Sequence, residues 1–320
     1  MRAAAILAVS VCACLGASAQ TSRYPVQQAG VHGYIDARGK IVIPPAFEDA
    51  RPFSDGLAAV RQAGRWGFID TAGRWAVPAR FEYAGAFAEG LAPVQAGESY
   101  GFIDRSGKFA IPPAFQAAGE FRKGLARVRV GNRWGFVDSS GKPAIAAEYE
   151  EVHDFAEGMA AAKRGGLWGY VDRSGSVVLP FRYLETYCFS EGKAWVEGEG
   201  GAAYIDVRGT PVIASPLFRE PRNFSGGLAA VLLPGGVGYI DERGEVAVPG
   251  GYRFVSLFRE GLAPVSRDGK WGFIDRRGRA VIPLQFELAE PFDGGLARVH
   301  RGGAAGYISR GGAWVWRPSR

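Results

Sequence analysis

The sequence predicts an all-β fold, a tandem array of three-stranded antiparallel meanders of about 34 residues each. Three observations predict it. One pentapeptide recurs nine times at a nearly fixed spacing. Short runs of β-branched and aromatic residues alternate with Gly, Pro and Asp clusters. No segment repeats its apolar residues at helical spacing.

The chain opens with Met1-Arg2, a small-residue and apolar run from Ala3 to Leu15, and Ala17-Ser18-Ala19. This is the pattern of a secretory signal peptide, residues 1–19, with cleavage expected after Ala19. The run is shorter than the roughly 20 apolar residues a membrane-spanning helix needs. No later stretch is long and apolar enough, so no transmembrane segment is expected. The rival reading makes Cys14 the lipid-modified first residue of a lipoprotein. Under the first reading the expected location is secreted or periplasmic; under the second the protein is anchored through Cys14. Cys12 and Cys14 leave with the leader under the first reading, so Cys188 would remain as a lone thiol without a disulfide or metal partner. The fold then rests on its core, and 47% hydrophobic residues supply one. Net charge is +6, or +5 once Arg2 is removed, with the signs interspersed. That excludes a dense nucleic-acid face and allows only mild attraction to anionic surfaces.

Residues 20–30 read as a linker, followed by the array over 31–316 and a tail, 317–320. The anchor pentapeptide appears as His32-Gly33-Tyr34-Ile35-Asp36 and next as Trp66-Gly67-Phe68-Ile69-Asp70. Further copies carry Trp134, Gly135 and Asp138; Trp168, Gly169 and Asp172; and Trp271, Gly272 and Asp275. Counted on the second residue, the steps are 34 five times, then 35, 34 and 34. After the anchor comes Asp-x-x-Gly, in which Asp accepts its own main-chain N–H groups and Gly takes a positive φ. An apolar strand ending in proline follows, such as Ile41-Val42-Ile43-Pro44, with proline expected to close it. An aromatic falls three residues later (Phe47, Phe81, Phe115), and a second precedes Gly-Leu-Ala (Phe53, Phe87). The stretch Phe47 to Phe53 reads as loop. Gly-Leu-Ala opens the remaining strand, and a short polar turn leads to the next anchor.

Alternation puts Trp66, Phe68 and Asp70 on one side of the anchor strand, with Gly67 and Ile69 on the other. A strand glycine recurring at one phase implies close approach, expected from a neighbouring unit's aromatic. Such units cannot bury both faces alone and need neighbours. Gly-Leu-Ala strands number eight against nine anchors. This predicts eight complete units plus an N-terminal hairpin, and an open, curved, solenoid-like array; a closed propeller-like toroid is the alternative.

Lys270-Trp271-Gly272-Phe273-Ile274-Asp275, with Gly278, Val281-Ile282-Pro283, Phe286, Phe292 and Gly295-Leu296-Ala297, resembles the bacterial WG-repeat (KWG-repeat) family. The resemblance spans residues 31 to 316 and departs from the pattern at Ala202-Ala203 and at Pro234-Gly235-Gly236-Val237. It implies an exported or envelope-associated protein, or a module beside catalytic domains, with no catalytic residues to carry over.

Residues that offer chemistry are few. His32, His153 and His300 fall at three phases of the repeat, which favours isolated imidazoles over a metal or catalytic cluster. One anchor Asp per unit suits turn chemistry rather than a calcium ladder, which needs several oxygens per turn. Glu89, Glu157, Glu191 and Glu260 precede Gly and read as solvated turn residues, since glycoside hydrolysis needs a pair of carboxylates in one cleft. Gly198-Glu199-Gly200-Gly201 lacks the Lys-Ser/Thr of a phosphate loop. No catalytic residue, metal or cofactor is expected, and the chain reads as a non-enzyme. Binding candidates are Trp195 and Tyr187, in the irregular sixth unit, and Trp314 and Trp316, read first as a cap on an exposed end. The expected function is an exported scaffold for protein or envelope interactions. The alternative is a carbohydrate- or cell-wall-binding module, which requires solvent-facing aromatics. A hydrolase has only scattered polar residues behind it.

Overall fold

The computed structural model describes residues 23–214 and 221–317. The leader and its cleavage site lie outside the described residues. Among the described residues there is no helix, and none long and apolar enough to cross a membrane. The architecture is the predicted one, all-β with open antiparallel sheets in tandem and no barrel.

Each unit contains a lead strand, an anchor strand and a proline strand, as in Leu57–Gln62, Arg65–Asp70 and Trp75–Phe81. Most units add a two-residue strand ahead of the lead strand, such as Asp49–Ala50, in the stretch read as loop. Between the short and lead strands the chain makes a two-residue turn at Asp55-Gly56, with φ of 48° and 74°. Ser54 and Leu57 exchange both main-chain hydrogen bonds across it. Positive φ at both central residues is the hairpin turn that matches strand twist.

The proline strand does not stop at proline. Trp66 pairs with Phe81 and Phe68 with Val77, so two steps on the anchor strand face four on its partner. Pro78 sits in this bulge, where its missing N–H costs no ladder bond. The bulge also explains the anchor glycine. A Cβ on Gly67 would lie 2.6 Å from Ala79 N and from Val77 O, and Gly101 and Gly135 meet the same main-chain wall. Close approach is real, but the approaching group is the unit's own third strand rather than a neighbour's aromatic ring. In the sixth unit, where alanine replaces this glycine, Ala203 and Tyr204 pair in step with Ala214 and Ile213, and the register shifts only between Tyr204 and Ile205.

The two faces of a unit bury against different neighbours. Ala58, Val60 and Ile69 pack backward on Tyr34, Ile43 and Phe47, whereas Leu57, Ala59, Trp66 and Phe68 pack forward on Phe87, Val94 and Ile103. The anchor aromatic meets the loop aromatic of the next unit at a nearly constant distance. Tyr34–Phe53, Phe68–Phe87 and Phe136–Phe155 have centroids 4.8, 4.7 and 4.8 Å apart. Each fully buried ring contributes about 1.5–3 kcal/mol through burial. Such a pair adds about 0.5–1.5 kcal/mol beyond that.

Three expectations about the chain ends are corrected. The supposed linker contains the strand Tyr24–Gln28, which pairs along its length with Val31–Ile35. The first unit is therefore no orphan hairpin, and nine units stand among the described residues. The array is also closed rather than open. Tyr24, Val26 and Ile35 share one core cluster with Leu296, Tyr307 and Trp316. A Cβ on Gly39 would lie 2.0 Å from Val315 O, so the last strand packs against the first unit's turn. Counting Gly-Leu-Ala motifs missed the ninth lead strand because Ser22-Arg23-Tyr24 stands in that motif's place.

Cys188 is buried and disulfide-bonded, which corrects the expectation of a lone thiol.

Candidate interaction surfaces

Successive strands run up and down, so the turns collect on two faces. One carries the Asp-x-x-Gly turns and the two-residue turns before the lead strands. They touch there: the Arg105 guanidinium donates to the Asp55 carbonyl, and Lys193 Nζ lies 3.4 Å from Glu242 Oε1. The other face carries the hairpins between lead and anchor strands.

The anchor aspartates do the turn chemistry expected. Oδ1 of Asp70 accepts the N–H groups of Ala72 and Arg74, both at 2.9 Å. Asp138, Asp172 and Asp275 accept the equivalent pairs at 2.8–3.1 Å. The N–H of the fourth residue on holds the carboxyls of Asp36, Asp70 and Asp206 below their ordinary range. For Asp104, Asp138 and Asp172 the serine hydroxyl two residues on is the larger cause.

The acids before Gly-Leu-Ala are not merely solvated. Glu89 accepts the N–H of Gly124 at 2.7 Å, and Glu157 that of Gly192 at 2.9 Å. Glu191 takes Gly226 and Gly227 at 2.6 and 2.8 Å, and Glu260 takes Gly295 at 3.1 Å. Each carboxylate bridges to the next unit, a role invisible until the units stack. A second set escaped sequence reasoning altogether. On the opposite face Glu48, Gln116, Glu150 and Glu287 accept hairpin N–H groups of Gly64, Gly131, Gly165 and Gly302 at 2.8–3.1 Å. The signal was an acid or amide directly after the post-proline aromatic.

The aromatic candidates lie largely inside. Trp66 and Trp168 are 7% and 4% exposed, while Trp134 and Trp271 are half-buried. Cations cover some of them: the Arg51 guanidinium lies 4.6 Å from the Trp66 ring, and Lys163 Nζ lies 5.6 Å from Trp168. Trp271 stacks on Phe254 with planes 8° apart. Trp195 is 9% exposed and rests against Tyr187 at 5.3 Å, in the core shared with Tyr204 and Phe224. Trp314 meets Phe286 edge-on at 5.9 Å and carries the Arg317 guanidinium at 4.2 Å. Trp316 belongs to the seam between the ninth and first units. Trp316 therefore helps to close a ring instead of capping a free end, while Trp314 packs back on the eighth unit. Of the eight tryptophans, Trp75 alone is substantially exposed, at 39%.

The histidines are not brought together. His32 lies 3.9 Å from Asp49, His300 pairs with Leu288, and His153 packs on Trp168 at 4.8 Å. Burial, with Arg127 nearby, holds the His153 imidazole below its usual pKa. Among the described residues no group of three or more His, Cys, Asp or Glu is placed to hold a metal ion. Gly198-Glu199-Gly200-Gly201 is the hairpin between Ala194–Gly198 and Gly201–Ile205.

What remains exposed is the middle of each turn. Arg105-Ser106, Ser139-Ser140, Glu242-Arg243 and Arg276-Arg277 occupy equivalent positions and differ from unit to unit. The surface is a repeated frame carrying non-repeated side chains.

No curated protein matches the chain. Among solved structures it is similar to the crystal structure of a eukaryotic initiation factor. That likeness has 13% identity and a TM-score of 0.64, over 94% of this chain and 98% of the other, and it shows the fold alone. A dihydro-heme d1 dehydrogenase, NirN, is slightly similar, with 14% identity, coverage of 82% and 73%, and a TM-score of 0.49. The family model of the WG containing repeat matches seven segments, 33–66, 66–98, 100–134, 134–168, 168–201, 238–271 and 271–303. With that pattern over most of its length, and the glycine-backed bulge it encodes in nearly every unit, the chain belongs to the WG containing repeat family.

Proposed function

We propose that this chain is an exported, non-enzymatic scaffold whose rigid ring presents its turns to a protein or envelope partner. The observation that carries the reading is the division of labour within each unit. Recurring polar residues are spent on the frame: Asp on its own turn and Glu on the next unit's N–H groups. The residues that vary are the exposed ones between them. A surface of this kind suits recognition, because each turn can change without disturbing the frame. Burial of most tryptophans weighs against a platform for stacking sugars, which needs open aromatic faces.

The leader pattern supports export, and mass spectrometry of the secreted or periplasmic protein should find Gln20 at its N-terminus. A product retained in the cytoplasm with Met1 would end the export reading. For recognition, the exported protein should form a saturable complex with an envelope component. Arg243→Glu with Arg277→Glu, at exposed turn positions, tests whether this arc of turns is the contact. Absence of any saturable complex with envelope proteins or polysaccharides would refute the scaffold reading.

A further inference from the structure

The first unit solves a problem that the other eight do not have. At each internal boundary a loop aromatic, five residues ahead of an alanine in the lead strand, packs on the preceding anchor aromatic. The alanines are Ala58, Ala92, Ala126, Ala160, Ala194, Ala229, Ala263 and Ala297, all 0–1% exposed. Each of these alanines shares a core cluster with its loop ring. In the first unit the repeat register places the loop aromatic at position 19, which is alanine, and the Gly-Leu pair at 22–23, which is Ser-Arg. The lead-strand alanine slot, across from Ile35, holds Tyr24.

Tyr24 occupies the vacant place. Its ring lies 5.4 Å from Tyr307, the ninth anchor aromatic, at an interplanar angle of 58°. Its hydroxyl donates to the Gly294 carbonyl at 2.6 Å, in the ninth unit's two-residue turn. In return the Tyr307 hydroxyl donates to the Pro25 carbonyl at 2.9 Å. Internally the anchor tyrosines Tyr34 and Tyr239 donate to loop residues of the following unit, Arg51 and Ser256, at 2.7 Å; at the seam the acceptor is instead on the lead strand itself.

We infer that Tyr24 is the latch of the ring, a single side chain that takes the place of the aromatic that position 19 lacks and holds the ninth unit against the first.

Hydrogen exchange on the exported full-length product tests this. In Tyr24→Ala, exchange in peptides covering 24–35 and 296–316 should quicken by about tenfold or more, from the loss of one ring pair and one hydrogen bond. Peptides covering 126–137 and 160–171, across the ring, should keep their wild-type rates. Tyr24→Phe retains the ring and loses only the Gly294 bond, and should quicken the same seam peptides to a smaller extent. It also serves if the alanine variant does not fold. Unchanged seam exchange in the variants that fold, or acceleration spread equally over all units, would overturn the proposal.

Discussion

The anchor glycine is the residue on which each unit turns. With main-chain atoms 2.5–2.8 Å from any Cβ at Gly135, the only relief is movement of the bulged strand. Gly135→Ala should therefore destabilise the protein by about 1–3 kcal/mol, read as a lowered urea midpoint. An unchanged midpoint would mean that the bulge is not fixed by this contact. Glycine recurrence was legible in the sequence as close approach. Its partner was not, because periodicity reports which face a residue occupies but not which strand crosses it. The Trp-to-Ala and Gly-to-Ala changes at Ala202-Ala203 were legible as irregularity, and the structure gives the consequence, a direct Ala203–Ala214 pair where other units skip the anchor glycine.

At the scale of the turn and the strand, the Asp-x-x-Gly carboxylates make a pH prediction. Their folded pKa values lie below the ordinary aspartate value of about 3.9. A depressed carboxylate stabilises the fold above its unfolded pKa, and the benefit is lost as pH falls through the folded value. Wild-type stability should hold at neutral pH and decline below about pH 4. A triple variant, Asp104→Asn, Asp138→Asn, Asp172→Asn, keeps the accepting oxygen without the titration and should show a shallower acid decline in urea midpoints. An equal decline would assign acid sensitivity to other carboxylates. The loop aromatic makes the second prediction at this scale. Phe87 is fully buried between two units, and Phe87→Ala should cost about 3–5 kcal/mol, with exchange rising first in the adjoining units. The sequence displayed this aromatic in every complete repeat, but its partner lies one unit away and appears only on stacking.

For the whole molecule, closure changes what the ends mean. An open array leaves two unpaired faces, whereas here the backward face of the first unit covers the forward face of the ninth. Nine interfaces then support nine units, and the seam is the place where weakening one residue acts locally. The proposed export and recognition belong to this scale too, since frame residues that satisfy one another would leave the variable turns to meet a partner. The candidate surface was only partly legible beforehand. Trp195, Tyr187 and Trp316 drew attention because they break the repeat, and they break it inside the core or the seam, where a change of side chain is a change of packing.

The sequence by itself determined the strand content, the period, the turn chemistry of the aspartates and the faces of the anchor strand. These follow from alternation and from contacts within a few residues. Only the tertiary structure decided that the array closes, that Tyr24 meets Tyr307, and that the glutamates bridge neighbouring units. Those outcomes depend on the small rotation between adjacent units, summed around the ring. No single repeat carries that sum in its residues.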